Sequence, residues 1–256
     1  SVRQRFQFGW NYSEPYDDPG SWERQYARGV WWYDPSVYPA TDAWFQDLSR
    51  SDQDLSPNAP YNNVYGGWYD AQNDMLVGFG SGGNSATTVP VWRIDIGTMA
   101  TLSDLSCPVQ AMSGFSKRPD ATGYVELDRW LYALTVYTDG TTTNRVLKMI
   151  RYNLDTGAGQ TFDMHPLAPQ GSDIQTSPYM KLEKSNGKVV WLHKSIDVIG
   201  GLYNIFIFDP ATLEWTVDES RPAYGSIAIN TSCSLPDGRI VMAGGGSSHI
   251  WFYTAP

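Results

Sequence analysis

Two glycine clusters are the first places where this sequence could do chemistry: SLPDGRIVMAGGG (234–246) and FGSGGNSATT (79–88). Glycines after an apolar run cradle phosphate when a helix N-terminus follows, with a Lys in the Walker form. Here SSHIWFYT follows the first cluster, a strand pattern without Lys, and the second also lacks the helix and the Lys. A nucleotide site is therefore not expected. The three histidines, His165, His193 and His249, lack the i, i+4 spacing of a metal pair, so neither metal nor cofactor is expected. Cys107 and Cys233 read as two buried thiols, with one disulfide between distant strands as the alternative. Glycoside hydrolysis needs two acids flanking the bond, and Asp70, Glu126, Asp128 and Glu183 sit on or beside apolar runs where they could supply them. None belongs to a recognisable catalytic motif. Acids in Asp-Pro or Asp-Gly pairs, such as Asp34, Asp139, Asp209 and Asp237, occupy turns, where the side chain caps its own backbone. SNGKVVWLH (185–193) lacks the second Asp and the Thr-Trp ending of a sialidase Asp box.

The segment from 10 to 45 is the richest in aromatics. Trp10, Tyr12, Tyr16, Trp22, Trp31 and Trp32 are the binding candidates, because Trp and Tyr beside acids and Asn suit stacking on sugars or docking of proteins. Packing between sheets is the competing use of the same residues. The formal net charge of −9 and pI near 4.7 oppose contact with phosphate backbones, so no nucleic-acid partner is expected. No apolar run reaches the ~20 residues that span a bilayer, and SVRQRFQFGW lacks the apolar core of a secretory signal. Localisation stays open between cytoplasm and virion.

The elements that must position these residues are strands. Short β-branched or aromatic runs recur, such as DMLVGFG (74–80), WLYALTVYT (130–138), KVVWLHK (188–194) and NIFIFDP (204–210). Between them stand Asn-Gly (186–187), Asp-Gly (139–140, 237–238) and Thr-Gly (156–157), the turn signals of antiparallel hairpins. The runs also repeat as a phrase. A run ends in Asp34, Asp95, Asn153 or Asp209, a turn follows, then a second run, and HIWFYTAP (249–256) is a truncated fifth copy. An extra strand pair precedes each later copy, so one unit is about four strands, the size of a propeller blade.

IFIFDPATLEWT (205–216) and LPDGRIVMAGGG (235–246) resemble the third-to-fourth strand turn and the glycine-bearing second strand of Kelch-type and galactose-oxidase-like β-propellers. The resemblance covers most of 60–256. It implies a fold and not the copper-radical activity, because the His and Tyr–Cys set of that oxidase cannot be placed here. It also implies a structural role for Gly66, Gly67, Gly82, Gly83, Gly200, Gly201, Gly244 and Gly245, where absent side chains let neighbouring sheets approach. The expected architecture is all-β: one β-propeller domain over 1–256, five-bladed with six as the alternative. Its four-stranded antiparallel blades lie at 1–48, 49–106, 107–164, 165–218 and 219–256, and RQRFQF (3–8) or AWFQDL (43–48) closes the ring.

A rigid scaffold that presents loops, without a visible catalytic constellation, points to binding rather than catalysis. The expectation is a non-catalytic interaction or structural module with a protein partner. Composition is also similar to propeller proteins of tailed-phage particles, which implies a tail or capsid-attached component in a larger assembly. A carbohydrate-binding lectin is the alternative, and a glycoside-active five-bladed enzyme the second alternative.

Overall fold

The computed structural model describes residues 6–13, 26–33, 44–46, 68–95, 101–119, 123–141, 143–174, 182–194, 203–218, 228–245 and 250–256. The chain forms two compact units, Ser1–Gly66 and Gly67–Pro256. In the first, β1 (Phe6–Ser13), β2 (Tyr26–Tyr33) and β3 (Trp44–Gln46) make an antiparallel sheet in chain order.

The second unit is a succession of antiparallel meanders. The first holds β4 (Trp68–Asp70), β5 (Met75–Phe79), β6 (Thr88–Asp95) and β7 (Thr101–Pro108). The second holds β8 (Ser116–Pro119), β9 (Val125–Leu127), β10 (Trp130–Thr138), β11 (Arg145–Asn153) and β12 (Gly159–Asp163). The third is β13 (Leu182–Ser185), β14 (Lys188–Lys194), β15 (Tyr203–Asp209) and β16 (Glu214–Asp218). The fourth is β17 (Ala228–Ser234), β18 (Ile240–Gly245) and β19 (Ile250–Tyr253).

This is the blade plan of an all-β propeller, and two of these sheets depart from four strands. In the second sheet the first strand is split: β9 pairs with the start of β10 and β8 with its end. Among the described residues the fourth sheet has three strands, with β19 paired to β18. The turn chemistry follows the residues. Asn186 and Gly187 both take positive φ, 49° and 73°, the backbone of a two-residue hairpin turn that only Gly and Asn enter readily.

The core explains why strands such as WLYALTVYT read as continuous apolar runs rather than alternating ones. Leu131 and Ala133 of β10 pack toward the first sheet with Val77, Val89 and Tyr152. Tyr132, Leu134 and Val136, on the opposite face, pack toward the third sheet with Leu182, Trp191 and Phe208. Val190, Leu192, Ile205 and Ile207 then meet Ile240 and Met242 of the fourth. A sheet covered on both faces needs apolar side chains at every position. Burying each such side chain stabilises by about 1.5–3 kcal/mol. Trp191 stacks on Phe206 at 5.1 Å, and Phe162, Phe208 and Trp215 extend the aromatic contact along the same interface.

One reading of the cysteines is corrected here. Both thiols are free, but only Cys107 is buried, and Cys233 is exposed. Cys233 alternates with Ser232 and Ser234, whose hydroxyls turn toward the neighbouring sheet, so the period-2 pleat sends its thiol to the other face.

Candidate functional site

Four acids were candidates, and the structure places three of them along the first strands of successive sheets. Asp70 ends β4, Glu126 lies in β9 and Glu183 in β13. β9 adjoins β13, and β13 adjoins β17. Asp128 does not join them: it is an exposed residue at φ 52°, in the tight turn between β9 and β10.

The organiser is Arg129, the next residue of that turn, itself at φ 67°. Its Nη1 and Nη2 donate to Asp70 Oδ1 and Oδ2 at 2.6 and 3.0 Å, a two-pronged pairing that joins the first sheet to the second. Its Nε and Nη2 donate to Asp155, and its backbone N–H donates to Glu126 Oε1 at 2.7 Å. Leu154 N–H in turn donates to its carbonyl. One residue thus fastens three segments. Asp70 is 2% exposed, and Asn73 Nδ2 and Gln72 N–H supply two further donors. Burial alone would raise its carboxyl, but the Arg129 and Asn73 bonds outweigh burial and hold it below the ordinary aspartate range. Arg129 is raised by its bonds to Asp70 first and to Asp155 second.

The second link runs from β13. Lys184 Nζ donates to the Glu126 carbonyl at 3.0 Å, sits 3.9 Å from Glu126 Oε2, and lies 6.0 Å from the Trp68 ring centroid. Its neighbour Glu183, pointing the other way by strand alternation, is buried and accepts from Ser232 Oγ and Ser234 Oγ, each at 2.6 Å. Ser234 Oγ also accepts from Lys184 N–H. The acids are therefore the rivets of a polar seam that ties four sheets together.

Sequence reading missed Arg129, Asp155, Lys184, Ser232 and Ser234. For Arg129 a signal existed: ELDRW (126–130) puts a cation beside two acids in a two-residue hairpin turn without Gly or Asn. The other partners are distant in sequence and carry no local mark.

The aromatic candidates lie in the first unit. Trp10 and Tyr12 are in β1, opposite Gly29 and Ala27, while Trp31 and Trp32 are in β2, opposite Phe8 and Gln7. Tyr16 and Trp22 lie outside the described residues, as do Gly66, Gly67, Gly200, Gly201 and His249. Gly82 exchanges two 2.9 Å backbone bonds with Lys117 of the second sheet, and a Cβ on it would meet Thr88 O at 3.0 Å. A Cβ on Gly83 would meet nothing within 4 Å. Gly244 and Gly245 continue β18 opposite Ile229 and Ala228, so these two glycines are strand, not loop. His165 Nδ1 accepts from Leu167 N–H, and His193 lies in β14 opposite Asn204. Among the described residues no three His, Cys, Asp or Glu side chains are grouped to hold a metal ion.

No protein-family profile and no curated protein matches the sequence. Solved structures do match. One is the α-L-arabinanase of Penicillium chrysogenum complexed with arabinobiose, at 11% identity over 88% of this chain and 73% of that one, with a TM-score of 0.38.

Proposed function

We propose that the chain is a non-catalytic propeller module that presents its loops to a protein partner within a larger assembly, of which a phage particle is one setting. In this reading it has five blades. The observation that supports it is the state of the first-strand acids. A glycoside hydrolase needs one carboxylic acid ready to protonate a leaving oxygen and a second carboxylate facing the sugar. Asp70 is instead closed in by Arg129 and held ionised, Glu126 accepts a backbone N–H, and Glu183 is buried under two serine hydroxyls.

The test is a hydrolysis panel on arabinan- and fructan-type substrates, run beside purification of the chain from its native source. Co-purification in a large assembly with no release of sugar is the expected result. Release that falls at least tenfold in Glu126→Gln or Asp70→Asn would replace this reading with the enzyme.

A glycan ligand is the second reading, favoured by Trp68, half-buried beside Lys184, and Tyr69, 51% exposed next to it. A glycan array decides it: binding that disappears in Trp68→Ala supports a lectin, and an array without hits removes it.

A further inference from the structure

Lys117, in β8, is 0% exposed. Among the described residues its Nζ donates to one acceptor, the Phe115 carbonyl at 2.9 Å, and lies 5.5 Å from the Tyr137 ring centroid. Among the described residues no carboxylate comes within ion-pair reach of it. Tyr137 of β10 lies directly across the strand pair and donates its hydroxyl to the Gln110 carbonyl. Lys148 of β11 approaches the same ring at 5.8 Å and is already paired with Asp163 of β12. Cys107 of β7 lies near Tyr137 as a buried thiol. The surroundings thus hold a second cation, whose carboxylate is taken. A buried ammonium with one neutral acceptor is costly, and burial lowers the affinity of Lys117 for its proton.

The backbone of the same residue is a joint. Lys117 N–H donates to Gly82 O and Gly82 N–H to Lys117 O, an isolated bridge that fastens β8 to the first sheet. Opening those two bonds would release the segment that keeps Nζ from water. We propose that β8 is a proton-sensitive clasp between two sheets: docking buries the Lys117 amine and so favours its uncharged form over the ammonium, and uptake of a proton there weakens the pair of bonds to Gly82.

The sign follows from linkage. In the opened segment Lys117 titrates near 10.5, its ordinary value, and in the docked one it titrates lower. The clasp therefore tightens as pH rises between the two values and is at its weakest below the lower one. Amide exchange measured by NMR at Gly82 and Lys117, corrected for intrinsic rates, reads the opening directly. In that window protection rises by up to about tenfold per pH unit, one proton being linked to opening. In Lys117→Met protection is high and carries no such slope. The Lys117 Nζ titration in the unaltered chain gives an independent reading should Lys117→Met fail to fold. A Lys117 value at or above 10.5, or the same slope in Lys117→Met, overturns the proposal.

Discussion

Replacing Arg129 by Met would leave Asp70 buried and stripped of its cation. The two halves of the Arg129 interaction differ in weight. Asp155 is 43% exposed, and an ion pair that open to water contributes at most about 1 kcal/mol. Asp70 is 2% exposed, and removing one partner of a buried pair costs about 3–5 kcal/mol, because the remaining charge stays uncompensated. Met keeps the stem of the side chain, so packing changes little, and the backbone N–H to Glu126 is retained. At ~2–4 °C per kcal/mol for a chain of this size, the melting temperature should fall by roughly 6–20 °C at pH 7. The pH dependence gives a second, sharper reading. In the unaltered chain the Asp70 carboxyl is held below 3.8, so its contribution is fully present above that value and is lost as pH falls through the lower, folded one. Without Arg129 the dominant influence is burial, which raises the carboxyl. Arg129→Met should then become relatively more stable on mild acidification, where Asp70 can take up a proton. Thermal unfolding of Arg129→Met, Asp70→Asn and the double variant between pH 3 and 8 measures both effects. A shift under about 2 °C for Arg129→Met, or additive single variants in the cycle, would refute the view that this pair fastens two sheets.

Three further outcomes follow from the same geometry. In Gly78→Ala the new Cβ would sit 2.1 Å from Trp92 Cζ2, so the indole must move, and chemical denaturation should register a loss of about 1–3 kcal/mol. Glu183→Gln keeps the shape of the side chain but removes the charge from two serine hydrogen bonds; a loss of about 1–3 kcal/mol is expected, and unchanged stability would show that Ser232 and Ser234 do not depend on it. With a thiol reagent at pH 8, Cys233 should react at once, while Cys107, its thiol pushed up to about 12 by burial, should react only on unfolding; two equally fast thiols would contradict the assigned faces.

Local chemistry was legible in the letters because it depends on near neighbours. Asn186-Gly187 and Asp237-Gly238 announce turns through their tolerance of positive φ, and the run 130–138 announces a strand covered on both faces. Gly244 and Gly245 also declare themselves strand rather than phosphate loop, since the letters after them, SSHIWFYT, carry a strand pattern and no Lys. Partners across sheets were not legible: in SPYMKL (177–182) and the Glu183-Lys184 pair that follows it, nothing along the chain marks that Lys184 meets Ser234 of β17 and Glu126 of β9.

Composition and periodicity thus determined that this chain folds as successive antiparallel meanders, because alternation, turn residues and apolar runs are properties of adjacent positions. Which acids are rivets and which are turn caps was decided only in three dimensions. Asp70 and Arg129 are 59 positions apart, Glu183 and Ser232 are 49 apart, and no pattern along the chain records such a pairing. The burial of Lys117 belongs to the same class, since a lysine's place inside or outside is set by the sheet that closes over it.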